Sequence, residues 1–152
     1  MPVNLKELMR KWASNMGTGY KGNADHYHSI SENLPAMKEK YSYKDGYFGE
    51  KGKSKKNNKV RNIKSDDPLK TAREFYDTLA HGGKESPIFE SDGTKNGMKT
   101  VLADGSVVTW RNVSHSDGSP AVDINIEYSS DSSGIKQQKI HFVKGSGNHD
   151  NN

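Results

Sequence analysis

Residues 98–143 read MKTVLADGSVVTWRNVSHSDGSPAVDINIEYSSDSSGIKQQKIHFV, and the alternation of apolar and polar residues along them decides the fold. Successive side chains of a strand point to opposite faces, so each run divides into two sets. From Ala121 to Glu127 one set is Val122, Ile124 and Ile126, and the other is Asp123, Asn125 and Glu127. Val108 and Trp110 stand against Thr109 and Arg111, and Ile140 and Phe142 against Lys139 and His141. Each strand thus offers an apolar face to a core and a face of groups that donate, accept or transfer protons. Asn96-Gly97 and Asp104-Gly105 read as hairpin turns, and Asp117-Gly118-Ser119-Pro120 and Asp131 to Gly134 as further reversals.

Upstream of the strands, Ser65-Asp66-Asp67-Pro68 is a helix start, with acidic residues at the positive end of the dipole and proline in the first turn. Leu69, Ala72, Phe75, Tyr76 and Leu79 follow at helical spacing, and Gly82-Gly83 ends the run. Leu5, Leu8, Met9, Trp12 and Met16 predict an earlier amphipathic helix over 4–16. The expected fold is α+β, with N-terminal helices followed by a four- or five-stranded antiparallel sheet. The expected organisation is a loosely packed basic region over 1–64, a compact domain over 65–144 and a disordered tail over 145–152.

Composition fits that division. Of 152 residues only 30% are hydrophobic, and they concentrate after Pro68. The formal charge of +4 suits a polyanionic partner, either nucleic acid or an acidic protein. There is no cysteine, which excludes disulfides and thiolate metal sites. No apolar run approaches the roughly 20 residues of a membrane span, and the first residues lack a signal-peptide core, so export would need another domain or a dedicated machine. Between Pro35 and Lys64, Tyr41, Tyr43, Tyr47 and Phe48 are interleaved with lysines. This region reads equally as a nucleic-acid-tracking arm or as a solvated linker, extended or disordered between Gly49 and Lys59. His26 and His28 alternate as strand-face ligands would, but no third ligand follows at a recognisable spacing.

The polar sheet face matches one chemistry well. RNA carries its own nucleophile, the 2′-hydroxyl, so cleavage needs a base, an acid and positive donors, and no cofactor or metal. His141 is the proton-transfer group, because histidine in general titrates near pH 6.5. Arg111 is the phosphate clamp, since its planar fork grips two oxygens. Lys139 neutralises charge beside His141, while Thr109, Ser114 and Ser116 donate to phosphate oxygens. Asp123 orients a base or pairs with Arg111 or Lys139. His81, at the end of the predicted helix, is either a second catalytic histidine or a C-terminal cap. Two other readings stand beside this one. The first is a metal-dependent DNase with ligands from Asp123, Asn125, His115 or His141. The second is a non-enzymatic basic module that binds nucleic acid or an acidic protein through the Tyr/Lys arm.

The blocks DDPLKTAREFYDTLAHGG, ADGSVVTWRNVSHSDGSPAVDINI and IKQQKIHF, preceded by GYFGEKGK and RNIKS, resemble the C-terminal toxin modules of bacterial polymorphic toxins, notably those on LXG-type secreted proteins. The likeness covers about Asp45 to Val143. It implies a fold similar to the barnase, EndoU, colicin and RelE-like ribonucleases, whose catalytic sets vary on one sheet face. Arg111, Ser116, Lys139 and His141 are the positions it reaches here. It further implies a cognate immunity protein, and leaves the substrate open among transfer RNA, other RNA and DNA. The module would be secreted by a dedicated system and would act in the cytoplasm of target bacteria.

Overall fold

A computed structural model of the chain describes residues 27–52, 57–114 and 117–145, with the backbone of 19–20. The helix expected over 4–16, His26, and most of the tail lie outside the described residues. Among the described residues two helices, α1 (Ile30–Lys40) and α2 (Pro68–Leu79), accompany ten strands. The strands are β1 (Gly19–Tyr20), β2 (Tyr43–Lys44), β3 (Tyr47–Phe48), β4 (Glu50–Lys51), β5 (Val60–Ser65), β6 (Lys84–Phe89), β7 (Lys95–Val101), β8 (Val107–Arg111), β9 (Ala121–Asn125) and β10 (Gln138–Lys144).

The main sheet corrects the expected fold. It has eight strands in the order β1-β6-β7-β8-β9-β10-β5-β4, and β2 and β3 form a separate hairpin. The meander from β6 to β10 is antiparallel, but β5 lies parallel to β10 with Ile140 opposite Arg61 and Phe142 opposite Ile63, so the sheet is mixed. Nor do the helices simply precede the sheet, because β2 to β5 fall between α1 and α2. The physical reason is that β5 adds its main-chain groups to β10, satisfying an edge that a pure meander would leave open.

α2 starts as its sequence requires: the Asp67 carboxylate accepts the Lys70 N–H at 3.3 Å and Pro68 needs no partner for a missing N–H. Ala72, Phe75, Tyr76 and Leu79 are fully buried against the sheet, whereas Leu69 is 49% exposed and does not join the stripe expected of it. The helix stops at Ala80, and Gly82 takes φ +81 where a Cβ would meet the His28 ring at 2.4 Å. In α1 the Glu32 carboxylate reaches back to the Ser29 N–H at 2.8 Å, half of a capping box. Ile30, Leu34 and Met37 turn inward, and Asn33 donates to the carbonyls of Leu79 and His81, both at 2.8 Å, closing the end of α2.

The core therefore reaches back before residue 65. Phe48 joins it from the β2–β3 hairpin, whose Asp45-Gly46 turn has positive φ at both residues, as a tight two-residue hairpin requires. Buried Gln138 pins that hairpin, accepting from the Phe48 N–H at 2.9 Å and donating to the Gly46 carbonyl at 2.8 Å. The Tyr/Lys arm is folded in part, since β4 pairs with β5; residues 53–56 lie outside the described ones. Asn96-Gly97 is not a turn but the interior of β7, and the reversal before it lies near Gly93. Among the described residues no helix is long and apolar enough to cross a membrane.

Candidate active site

Because α2 covers the face bearing Val108, Trp110, Val122, Ile124, Ile140 and Phe142, the alternate residues of the same strands lie on the opposite face, which is helix-free among the described residues. Register arranges them in rows across the strands. Lys99, Thr109, Asp123, Lys139 and Val60 stand side by side, and the next row is Gly97, Arg111, Ala121, His141 and Asn62. The five sheet residues singled out in the sequence, Thr109, Arg111, Asp123, Lys139 and His141, thus share one face. Arg111 and His141 flank Ala121, about 10 Å apart at Cα for two steps of roughly 4.8 Å. Ala121 between them is itself covered, at 1% exposure.

His141 is held firmly. Its side chain is 8% exposed, and Nδ1 lies 2.9 Å from Ser119 Oγ and 3.2 Å from Asp117 Oδ1. Asp117 also accepts from Ser119 N–H at 3.0 Å, Ser119 Oγ at 2.6 Å and Ser114 Oγ at 2.8 Å. Partial burial opposes its ionisation, but the Ser119 and Ser114 hydrogen bonds and nearby His141 outweigh it and hold the carboxyl well below the usual range. Since Ser119 Oγ donates its own proton to Asp117, its lone pair and the carboxylate both face Nδ1. This network assigns the neutral imidazole proton to Nδ1 and leaves the Nε2 lone pair to accept. Nε2 has no hydrogen-bond partner among the described residues.

Arg111 is 29% exposed, with Nη1 3.7 Å from Asp123 Oδ2, a separation that leaves most of its guanidinium fork for an incoming anion. Neither Arg111 nor Lys139 has another side-chain partner among the described residues. Two adjoining depressions open here. One of about 640 Å³ is bordered by Asn62, Asp117, Ser119 and His141, and one of about 550 Å³ by Lys59, Lys99, Thr109, Arg111, Asp123 and Lys139.

Other expected residues sit elsewhere. His81 lies beyond α2, with its ring edge-on to His28 at 5.0 Å between centroids, and is not part of this group. Ser116 and His115 are outside the described residues. Ser114 is buried and committed to Asp117 rather than turned to a ligand. Among the described residues no three His, Cys, Asp or Glu side chains converge to hold a metal ion. Asp117, Ser119 and Asn62 were missed in the sequence. Asp-Gly-Ser-Pro carried the signal, because an aspartate that caps its own turn can present its second face to a neighbouring strand.

No family model, no curated protein and no solved structure matches this chain.

Proposed function

We infer that the chain is a metal-independent ribonuclease toxin whose active site is the helix-free face around His141. The observation that carries this reading is an imidazole held through Nδ1 by Asp117 and Ser119, with the Arg111 guanidinium across Ala121 on the same face. An anchored Nδ1 fixes the ring and directs Nε2 to proton transfer. In this mechanism Nε2 takes the proton of the substrate 2′-hydroxyl as its oxygen bonds to phosphorus. The bond from phosphorus to the 5′-oxygen breaks, leaving a 2′,3′-cyclic phosphate, and the Lys139 ammonium supplies the proton to the departing oxygen. Arg111 and Thr109 donate to the phosphate oxygens as negative charge grows on them. The nucleophile belongs to the substrate, so no metal is needed to make one.

The toxin role rests on the likeness of sequence blocks described above. It brings with it secretion by a dedicated system, action in the cytoplasm of target bacteria, and a cognate immunity protein. An acidic immunity protein would complement the cationic face and block it.

The test is incubation of the purified protein with total RNA and with plasmid DNA, each with and without EDTA, beside His141→Ala. RNA cleavage that survives EDTA and is lost in the variant is the expected result. DNA cleavage stopped by EDTA would overturn it in favour of a metal-dependent DNase, and cleavage of neither would favour a binding module.

A further inference from the structure

The helix-free face extends beyond His141 and Arg111, and its other end is equipped for a different part of a substrate. The depression there is bordered by Lys59, Lys99, Arg111 and Lys139, with Asp123 as the one carboxylate among its lining residues. Four cations against a single carboxylate that already faces Arg111 form a surface suited to a polyanion. Tyr128 also borders this depression, and it is 75% exposed.

The exposure of Tyr128 is built in rather than a by-product of a loose loop. Its neighbours are tied down on both sides: before it the Glu127 N–H donates to Asn125 Oδ1 at 2.9 Å, and after it the Ser129 N–H donates to the Ile126 carbonyl at 3.0 Å and the Ser130 N–H to the Asp104 carbonyl at 2.7 Å. Its own carbonyl sits so close to Gly105 that a Cβ there would fall 2.3 Å from it. The main chain is fixed while the ring stands in solvent beside lysines, the arrangement in which a nucleobase can stack on the ring as its phosphates follow the cations. Ala121, in the row of His141, and Asn125, which borders the Tyr128 depression, are on one strand. At roughly 3.4 Å per residue they lie about 14 Å apart, within reach of a short single-stranded segment. A duplex keeps its bases stacked inside and has no free face for Tyr128.

We propose that Tyr128 is a base-stacking platform, so that this face takes an unpaired RNA segment with its phosphates along Lys59, Lys99 and Lys139. Its place in a reaction rests on the nuclease reading, but the platform itself is read out by binding alone. The experiment measures fluorescence anisotropy of a short labelled single-stranded oligoribonucleotide, and of the same ribose-phosphate chain without its bases. Each is titrated with the full chain carrying His141→Gln to prevent turnover. Adding Tyr128→Ala should weaken binding of the base-bearing oligomer about 5- to 100-fold. It should leave the abasic one unchanged, and Tyr128→Trp should bind as well as the parent. Equal effects of Tyr128→Ala on both oligomers, or none on either while Arg111→Ala weakens both, would overturn the platform and leave the nuclease reading standing. Failure of the parent to bind either oligomer would overturn both.

Discussion

Phe75→Ala is the most informative single change to the fold, because Phe75 joins the two halves of the chain. Its ring is fully buried and lies 4.9 Å from Tyr41, 5.2 Å from Phe48 and 5.4 Å from Phe142, centroid to centroid. Tyr41 follows α1, Phe48 belongs to the β2–β3 hairpin, and Phe142 is on β10, so one side chain bonds three separate pieces to α2. Truncating a buried phenylalanine costs about 3 to 5 kcal/mol, and each aromatic pair adds roughly 0.5 to 1.5 kcal/mol beyond simple burial. With three pairs lost, the expected cost is at the upper end, about 5 kcal/mol, comparable with the whole stability of a small domain at about 5 to 15 kcal/mol. In urea, with a slope of about 2 kcal/mol per molar, the midpoint falls by about 2 to 3 M. Phe75→Leu keeps much of the volume and should recover most of that loss. A cost below about 2 kcal/mol for the alanine variant would refute the packing, since it would mean that the hairpin and α1 do not share a core with the sheet.

Four other outcomes follow from the site and its surroundings. Asp117→Asn should lower the cleavage rate about 10- to 100-fold, the worth of a charge-assisted hydrogen bond to His141 of about 1.5 to 3 kcal/mol, measured as single-turnover cleavage of a defined RNA. Arg111→Ala should abolish cleavage while moving the urea midpoint little, because its pair with Asp123 is part-exposed and worth under about 1 kcal/mol. Stability should fall on both sides of neutrality. The Asp117 carboxyl is depressed in the fold, so its contribution is present above the ordinary carboxylate range near pH 4 and is lost as pH drops through the folded value. Burial, then Glu74, pushes the Tyr41 phenol up to about 12; burial, with Glu85 and Asp77, raises Tyr76 against the opposing hydrogen bond of Thr100. Their contributions are complete below the ordinary value near pH 10 and are lost as pH rises above it, which urea titrations of Tyr76→Phe at neutral and alkaline pH would check. Gly97→Ala should cost several kcal/mol by thermal unfolding, because a Cβ would fall 1.8 Å from the Trp110 carbonyl within the sheet.

The face assignment was legible because the meander strands keep strict alternation, and the row of Thr109, Asp123 and Lys139 follows from it once the register is known. β5 was not legible. In Val60–Ser65 the core-facing position opposite Ile140 is Arg61, which breaks the apolar pattern. Arg61 is tolerated there because Nε donates to the Phe48 carbonyl at 3.0 Å and Nη2 to the Gly49 carbonyl at 2.9 Å, while the guanidinium lies over Tyr47. Pairing between β5 and β10 is also non-local, so no short stretch of residues announces it. α1 was hidden differently. Ser29 and Glu32 spell a capping box and Ile30, Leu34 and Met37 keep helical spacing, but Pro35 inside the run argues for a break. Asp117 and Ser119 were visible as a turn, and only folding brings that turn against His141, 22 residues from Ser119.

The same non-local pairing governs when the site comes into being. β10 is inserted between β9 and β5, and it carries both Lys139 and His141, so the proton-transfer group sits on a strand paired on both sides. Asn62 reaches the row of His141 only through the parallel pairing, and Asp117 and Ser119 face Nδ1 only when β10 lies beside β9. The proton-transfer groups and their supports are therefore conditional on the last described strand, whereas the β6–β9 meander by itself aligns only Thr109, Arg111 and Asp123. Long-range pairings of this kind form late, because chain entropy must be overcome before they contribute. In refolding experiments protection of the Asp123 amide of β9, which faces β8, from hydrogen exchange should precede that of the β5 amides. Recovery of RNA cleavage should track the β5 amides; recovery that ran ahead of them would mean that β5 is dispensable to the site.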